Sequence, residues 1–391
     1  MIVRHFIGWV RTAPAGERAE ATRALARAWL VSNLNEDDIA AAEGALLMLL
    51  DDPSPLVRQA MAETFAWSAD APPAIVRALA CDQPSVALPI LECSPLLLDA
   101  DLVDIVAQGG ADVQCAVARR FDLPSPVAAA IAEVGCPAAV LELLENPEAA
   151  VLPFSIERVA ERHGHIAPVR EVLLGRDDLS STTRLKLVAK VSETLLDFVT
   201  SRGWICQERA VTIARETGER ATMTIAADAG RQLADLVEHL RQAGQLSAGL
   251  ILRALLSGNV ALFEAALANL SGLSSERVAG IVSDRTGRGL DALFVAAGLP
   301  SSTIPAFRAA LNANHEFGFV GNVGDAARLR RRVVERVLTR CEFEAAFESG
   351  PLLILLRRFA TEAAREEARL FCDELAFEDS VQFAATDLLA A

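Results

Sequence analysis

The helical character of the chain is clearest in one segment, which runs Leu46-Leu-Met-Leu-Leu-Asp-Asp-Pro-Ser-Pro-Leu-Val-Arg-Gln-Ala-Met-Ala-Glu63. From its middle onward, side chains recur at the i, i+3, i+4, i+7 and i+8 spacing of one helix face, at Val57, Ala60, Met61, Thr64 and Phe65. Ser54-Pro55 offers an N-cap hydroxyl and a proline at the first helical position, where its missing N–H costs nothing. The pattern predicts an apolar helix, an Asp-Pro turn and an amphipathic helix that begins at Pro55.

Similar helix starts recur further along the chain. Ser125-Pro126 precedes a second stripe that ends at Gly135, a glycine placed to stop a helix. Asn146-Pro147 is predicted to open another helix in the same way. Alternating polar and apolar patterns, which are typical of strands, are nearly absent. The sequence therefore predicts an all-α protein.

The helix starts are spaced like structural repeats. Their hydrophobic markers are Val57, Val86, Val113 and Ala150, at separations of 29, 27 and 37 residues. An imperfect period of this size is typical of an α-solenoid, in which each helix hairpin buries a face only against its neighbours.

The segment 46–63 resembles a HEAT repeat in its apolar first helix, its Asp-Pro turn and the Val-Arg-x-Ala that opens the second helix. The later units depart from this pattern, because Val86 is followed by Ala87 and Val113 by Gln114. A regular Asp–Arg ladder along the solenoid is therefore not expected. The resemblance implies a HEAT-like α-solenoid of right-handed stacked helix hairpins.

Proline distribution divides the chain. Fourteen of the seventeen prolines lie at or before Pro168, and the next is Pro300. We therefore predict a HEAT-like repeat domain over 1–175 and a C-terminal helical domain with longer helices over 176–391, joined near 175–183. In the second region, 218–230 is compatible with either a helix or a short extended piece.

Several blocks support a more specific resemblance. They are Leu252-Arg-Ala-Leu-Leu-Ser-Gly-Asn-Val-Ala-Leu-Phe-Glu-Ala-Ala-Leu267, Arg277-Val-Ala-Gly-Ile-Val-Ser-Asp-Arg-Thr-Gly-Arg-Gly-Leu-Asp-Ala-Leu293, Ala297-Gly-Leu-Pro300, Ala118-Arg-Arg120 and Leu143-Leu-Glu-Asn-Pro147. Together they are similar to a bacterial family catalogued as domain of unknown function 2336, over roughly residues 45 to 375. The resemblance implies HEAT-like helical repeats and brings no assigned activity with it.

Composition excludes several classes of protein. The 391 residues are 52% hydrophobic and 23% charged, and their mean hydropathy of +0.29 argues against a largely disordered chain. The longest stretch without a charged residue, 292–307, is too short and too broken by Gly and Pro to span a membrane. Residues 1–10 are too polar for a signal peptide. We expect a cytoplasmic protein.

Charge disfavours nucleic acid as a partner. The net charge is −15, and residues 1–178 hold 13 Lys+Arg against 26 Asp+Glu. Phosphate backbones require a basic surface, which such a first half cannot offer. The seven cysteines form no CxxC pair, so we expect buried apolar thiols rather than disulfides or a zinc site, and no cofactor.

Motifs with catalytic chemistry are weak. Gly287-Arg-Gly289 fits the loose GxGxxA form of a dinucleotide-binding turn, but its context predicts a joint between two helices. His163 and His165 lack a third metal ligand at a suitable spacing. His163 is instead expected to close a helix before Gly164, with the helix dipole favouring its protonated ring. No GxSxG elbow is present. We therefore expect a protein that is not an enzyme.

Arginine clusters are the candidate binding residues. Arg328, Arg331, Arg332 and Arg336 lie on one predicted helix face, and Arg119-Arg120 forms a second cluster. Such a face suits a phosphate, a nucleic-acid backbone, an acidic partner or an anionic membrane surface. Internal pairing is the favoured alternative, with Glu362, Glu366 and Glu367 of the C-terminal helix or, for Arg120, with a carboxylate of a neighbouring repeat.

The resulting hypothesis is a non-enzymatic adaptor whose solenoid surface binds another protein. A homodimer is also compatible with the sequence. Two alternatives belong to other classes: a sensor that grips a small phosphorylated ligand through the arginine clusters, and a HEAT-like enzyme acting on nucleic acid. The acidic first half argues against the second.

Overall fold

A computed structural model describes residues 8–10, 12–32, 35–284, 286–317, 323–343 and 350–390. Throughout these ranges the regular elements are helices, and none of them is a strand, so the protein is all-α. The chain divides into two compact units, 1–183 (unit 1) and 184–391 (unit 2). The division falls at the end of the 175–183 segment, where the change in proline content indicates a joint.

Unit 1 consists of short antiparallel helices. They are α1 (Ala15–Val31), α2 (Glu36–Leu49), α3 (Pro55–Phe65), α4 (Pro73–Ala80), α5 (Pro84–Cys93), α6 (Asp99–Gln108), α7 (Ala111–Ala118), α8 (Ser125–Val134), α9 (Pro137–Glu145), α10 (Pro153–His163) and α11 (Ala167–Leu174). A proline stands in the first turn of most of them, and this limits how far each helix extends toward its N-terminus.

The helices of unit 1 stack in two layers. The odd-numbered helices contact one another in order from α1 to α11, and α6, α8 and α10 do the same in the second layer. The apolar face of a helix in the stack is buried against the helices of neighbouring repeats. Ile131 of α8, for example, is fully buried. This translational stacking is the arrangement of an α-solenoid and confirms the predicted architecture.

The repeat is more regular than the sequence markers suggested. Val57, Val86, Val113 and Val169 are each the third residue of α3, α5, α7 and α11, and Val140 is the fourth residue of α9, so that these valines lie at separations of 29, 27, 27 and 29 residues. The predicted fourth marker, Ala150, was wrong.

Asn146-Pro147 does not open a helix, because the Asn146 side chain is used elsewhere. Its Nδ2 donates to the carbonyls of Ala118 and Arg120, both at 2.8 Å, and its Oδ1 accepts from the Glu148 N–H. The residue therefore joins the end of α7 to a turn, and the next helix starts only at Pro153.

The start of α3 also differs from expectation. Ser54 occupies the N-cap position, but its hydroxyl makes no capping hydrogen bond. Instead, Oδ1 of Asp52 accepts the Ser54 N–H at 2.8 Å while both carboxylate oxygens of Asp52 receive the Arg18 guanidinium. The Asp-Pro turn is thus held by a carboxylate that is 8% exposed. At Ser125, the helix begins with the serine itself, and Pro124 precedes it as N-cap.

Arginine side chains form polar contacts between successive repeats, but their acceptors differ along the solenoid. The Arg58 guanidinium donates to both oxygens of Asp82, the carboxylate of the next turn. From α7 onward, backbone carbonyls join carboxylates as acceptors: Arg162 donates to the carbonyls of Ala132 and Gly135, whereas Arg158 still binds the carboxylate of Glu133. The Asp–Arg ladder is therefore irregular, as the departures at Ala87 and Gln114 predicted.

Unit 2 contains longer helices. α12 (Ser181–Ser201) crosses the division, and it is followed by α13 (Gln207–Asp228), α14 (Leu233–Gln242), α15 (Ala248–Leu256), α16 (Val260–Ser271), α17 (Ser275–Ser283), α18 (Leu290–Ala296), α19 (Ile304–Phe317), α20 (Val323–Phe343) and α21 (Gly350–Ala390). The segment 218–230 is mostly helical, as the C-terminal part of α13, so the alternative of an extended piece was wrong.

The core of unit 2 surrounds α15. All residues from Leu250 to Leu256 are buried, including the charged Arg253. Around this helix, Phe307 lies between Phe263 and Phe294, with ring centroids 6.0 and 5.4 Å apart. A helix that is buried on every side packs against several neighbours, and here α16, α19 and α20 contact α15. Among the described residues no helix combines the length and the apolar character that a membrane crossing requires.

Candidate functional site

The first arginine cluster contains two different environments. Arg119 lies at the end of α7 and is largely exposed, with its Nη2 2.6 Å from Oε1 of Glu142. Arg120 is only 8% exposed and donates to the carbonyls of Leu91 and Ser94, at 2.5 and 2.6 Å. The predicted carboxylate partner of Arg120 is thus replaced by backbone carbonyls. Arg120 holds two repeats together and presents no free donor face to a ligand.

The second cluster lies on α20 and meets the acidic residues of α21. Arg331 contacts both Glu335 and Glu367, at 2.7 and 2.9 Å, and Arg328 approaches Glu367 at 3.9 Å. Arg336 lies 3.6 Å from Glu316 of α19. Arg332 is exposed and forms no ion pair with any described residue.

The two clusters belong to different units, so the six predicted residues do not make one site. Three of the four α20 arginines already have a carboxylate within 4 Å, which reduces the charge that this helix offers to a partner. The flanking Arg330 is likewise held by Glu366, at 2.6 Å. These arginines of α20 thus form the internal ion pairs that were the favoured alternative to partner binding.

The remaining motifs, His163 and the turn at Gly287 and Gly289, contribute to the fold. His163 closes α10 before Gly164, as expected, and its Nε2 lies 3.3 Å from the Gly135 carbonyl. The expectation of a protonated ring was wrong in direction, because burial and the charge of Arg162 lower the pKa of His163. Gly287 and Gly289, both at positive φ, join α17 to α18 with no described strand before them. Metal-binding clusters of His, Cys, Asp or Glu are absent from the described residues.

Unit 1 exposes large apolar side chains at one edge of its solenoid. The turns that follow α3, α5, α7 and α9 lie along the same edge, because the odd-numbered helices stack in one layer and each leads into the other layer. These turns and the first residues after them carry side chains that are 41 to 77% exposed, namely Trp67, Leu98, Phe121, Leu152 and Phe154. We call this set the apolar edge.

Exposed carboxylates accompany the apolar edge. Asp70, Asp99, Asp122 and Glu148 lie within a few residues of its members, and none forms an ion pair with a described residue. Asp122 has a φ of 53°, the left-handed conformation that Asp tolerates better than most residues. Most arginines of unit 1 are meanwhile bound to carboxylates or carbonyls within the unit, as Arg58, Arg120 and Arg158 are. The edge therefore carries uncompensated negative charge.

Unit 2 contains a cavity of about 1220 Å³ that is partly open to solvent and bordered by residues of α13, α15, α16, α17, α19, α20 and α21. Its wall is apolar where Leu256, Val282 and Leu311 line it. Elsewhere charged side chains line it, namely the five arginines Arg220, Arg253, Arg330, Arg365 and Arg369 and the three glutamates Glu264, Glu362 and Glu366.

A buried ion network, the arginine–glutamate tie, forms one side of this cavity. The Nε of Arg253 donates to Glu219 at 3.0 Å and its Nη1 donates to Glu362 at 2.7 Å, while the guanidinium lies 4.3 Å above the Phe359 ring. Arg220 contacts the second oxygen of Glu362 at 3.1 Å. Burial by itself would raise the pKa of Glu362, but these two arginines hold it below its usual range. The tie joins α13, α15 and α21.

Sequence reasoning missed both surfaces. The signal for Arg253 was available, since it is the single charge within the apolar run 248–256, and a lone charge in a buried helix requires partners. The signal for the apolar edge was weaker. Exposed apolar residues in turns become an edge only once the order of the stacked helices is known.

Comparisons with known proteins place the chain in a family. A family model described as an uncharacterised protein conserved in bacteria, DUF2336, matches residues 86–345, which is about two thirds of the chain. No curated protein and no solved structure matches it significantly. The match spans the later repeats of unit 1 and most of unit 2, including α15, and it ends before the α21 residues that line the cavity. This chain therefore belongs to the DUF2336 family of bacterial proteins.

Proposed function

We propose that the protein is a non-enzymatic adaptor that binds a basic, apolar segment of another protein along the apolar edge of unit 1. One observation carries the proposal: the turns after α3, α5, α7 and α9 each present an exposed aromatic or leucine side chain within a few residues of a carboxylate that forms no ion pair with any described residue. Exposed apolar side chains scattered singly are ordinary on a protein surface, but a row of them in register with the repeat is typical of an interaction surface.

The spacing of the turns defines the length of the partner segment. Stacked helices lie about 10 Å apart, so the four turns from Trp67 to Phe154 extend over about 30 Å. A helix of about 20 residues, or an extended segment of about 10, covers that distance. Burial of each large apolar side chain contributes about 1.5–3 kcal/mol, and aromatic residues such as Trp67 and Phe121 commonly dominate an interface.

The charge of the edge defines the chemistry of the partner. Asp70, Asp99, Asp122 and Glu148 attract lysine and arginine, whereas an acidic segment or a nucleic-acid backbone is repelled. The alternative of a phosphate sensor gains little support at the predicted arginines, because carboxylates or carbonyls already occupy five of the six.

A peptide selection tests this proposal. Random peptides of about 20 residues, a length matched to the edge, are displayed on phage and selected on the immobilised wild-type protein. The same selection is made on the double variant Phe121→Ser/Phe154→Ser. We expect the wild type to enrich peptides that combine Lys or Arg with Leu or aromatic residues. The double variant is expected to bind those peptides at least about tenfold more weakly, a loss of about 1.4 kcal/mol.

The matched control is Met48→Ser/Val134→Ser. Both side chains are exposed and apolar, but they lie near the ends of α2 and α8, at the opposite edge of the solenoid. This control is expected to bind the selected peptides as the wild type does. Selection of peptides without basic residues, or equal loss of binding in both double variants, would contradict the proposal.

A further inference from the structure

The cavity of unit 2 is bordered by donors that lack acceptors. Nη2 of Arg253, Nδ2 of Asn259 and Nε of Arg330 are shielded from water and have no hydrogen-bond partner among the described residues. Arg253 is itself 94% buried, since only 6% of its surface is exposed. A buried donor left unsatisfied costs about 1–3 kcal/mol, and such donors are rare in folded proteins. A molecule rich in hydrogen-bond acceptors would satisfy all three of these donors.

The charges around the cavity favour an anion. Five arginines face three carboxylates, and two of the carboxylates are already committed: Glu362 to Arg253 and Arg220, and Glu366 to Arg330. Arg365 and Arg369 lie one turn apart on the exposed side of α21, and neither forms an ion pair with a described residue. Two adjacent free guanidinium groups are a favourable arrangement for the oxygens of a phosphate.

The third carboxylate, Glu264, has no cationic partner among the described residues. Burial raises the pKa of Glu264, so protonation of this carboxyl beside a bound anion costs less than it would in water. In that form Glu264 adds a donor rather than a repulsive charge.

The apolar wall of the cavity indicates the character of the part of the ligand that is not phosphate. Met223, Leu256, Val282, Leu311 and Val334 line the cavity away from the free arginines. A volume of about 1220 Å³ exceeds what inorganic phosphate requires and suits a molecule of nucleotide size, since ligand pockets usually measure about 300–1,000 Å³.

We infer that this cavity is a binding site for a phosphorylated small molecule of nucleotide size. Arg365 and Arg369 receive the phosphate, the unpartnered donors of Arg253, Asn259 and Arg330 turn toward its polar groups, and the apolar wall contacts the remainder. The site lies in unit 2 and is independent of the peptide surface proposed for unit 1.

Calorimetric titration of the full chain tests the inference. The probes are inorganic phosphate, ribose 5-phosphate, nucleoside mono-, di- and triphosphates and the matching unphosphorylated nucleosides. We expect at least one nucleotide to bind with a Kd below about 1 mM, more tightly than either inorganic phosphate or its nucleoside. The variant Arg365→Glu/Arg369→Glu is expected to lose at least about tenfold in affinity because it reverses two charges.

Two further variants separate binding from folding. Asn259→Asp keeps the side-chain oxygen that accepts the Leu262 N–H and caps α16, but it replaces the Nδ2 donor with a negative oxygen. It is expected to weaken nucleotide binding by about tenfold without lowering the Tm of the free protein. Arg277→Glu changes an exposed arginine of α17 that does not line the cavity, and it is expected to bind as the wild type does.

Absence of binding by every probe would overturn the inference. So would nucleosides that bind as tightly as their phosphates, or affinity that falls equally in Arg277→Glu. Tighter binding of ribose 5-phosphate than of any nucleotide would also overturn the nucleotide-sized assignment.

Discussion

At the scale of single residues, the contribution of an arginine depends on what accepts its hydrogen bonds. Arg119 and Arg120 are adjacent in sequence, yet one forms an exposed ion pair and the other is buried against two carbonyls. Burial lowers the pKa of Arg120, and the acceptors described for its guanidinium are two carbonyls rather than a carboxylate. An exposed ion pair contributes little to stability, whereas removing a buried donor leaves its acceptors unsatisfied.

We therefore predict that Arg120→Ala and Arg119→Ala differ in stability. Arg120→Ala is expected to lower the free energy of unfolding by about 2–3 kcal/mol, because it leaves the carbonyls of Leu91 and Ser94 without donors. Arg119→Ala is expected to cost less than about 1 kcal/mol. Urea denaturation followed by circular dichroism measures both. Equal losses in the two variants would show that Arg120 has no special structural role.

A second residue-scale prediction concerns Asp52 and acid. Burial by itself would raise the pKa of Asp52, but hydrogen bonds from Arg18 and the Ser54 N–H hold that pKa below its usual range. The ionised carboxylate therefore stabilises the fold above its unfolded-state pKa of about 4, and this contribution is lost as the pH falls through the lower folded-state pKa.

Asp52→Asn removes this contribution. At pH 7 the variant is expected to unfold with about 1–3 kcal/mol less free energy than the wild type. The difference is expected to shrink as the pH falls below about 4. Urea unfolding midpoints of both proteins, measured from pH 7 to below about 4, test whether the stability difference shrinks in acid. Asp51→Asn, a change at the exposed neighbour, serves as control, and a difference that grows in acid would refute the assignment.

At the scale of elements, periodicity predicted most of the helices because apolar spacing alone determines which face is buried. The ends were harder to predict. Asn146-Pro147 has the composition of a helix start, but the Asn146 side chain bonds to carbonyls 26 and 28 residues earlier in the chain. A local pattern cannot reveal an acceptor that only stacking brings near.

Stacking also predicts that a core substitution in one helix destabilises the helices packed against it. Ile131 of α8 is fully buried, and α8 contacts α6 and α10. Ile131→Ala is expected to cost about 2–5 kcal/mol and to increase amide hydrogen exchange in α6 and α10 as well as in α8. Mass spectrometry of exchanged peptides measures this spread. Val134→Ala, at a 44% exposed position of the same helix, is expected to leave all three helices protected. Faster exchange confined to α8 would contradict nearest-neighbour coupling.

At the scale of the whole molecule, the fold class, the repeats and the family could be inferred from the sequence. The surfaces could not, because they depend on how distant helices pack. The apolar edge can be recognised only when the order of the stacked helices is known. The cavity is lined by both α13 and α21, which are more than 120 residues apart in the chain. Charge asymmetry was visible from the start. The sequence could not show that most described arginines of unit 1 bind partners within the unit, while the carboxylates of the apolar edge form no ion pair with a described residue.

The charge of unit 1 leads to a prediction about salt. Binding of a selected basic peptide to the apolar edge is expected to weaken by about tenfold or more between about 50 and 500 mM NaCl, since salt screens attraction between exposed charges. Fluorescence anisotropy of a labelled peptide measures the affinity. A variant peptide with its lysines and arginines replaced by glutamine should bind weakly and with little dependence on salt. Affinity that rises with salt for both peptides would indicate purely apolar contact.

The bonds between repeats have a consequence for the order in which the chain acquires structure. Asp82 completes a contact begun by Arg58, and Arg120 satisfies carbonyls near the end of α5, so these contacts form only when the following repeat has been synthesised. On the ribosome, these contacts must wait until 24 to 29 further residues have emerged. During synthesis these bonds therefore form in chain order. A nascent chain that stops before Asp82 leaves Arg58 without this carboxylate, and one that stops before Arg120 leaves the carbonyls of Leu91 and Ser94 without this donor.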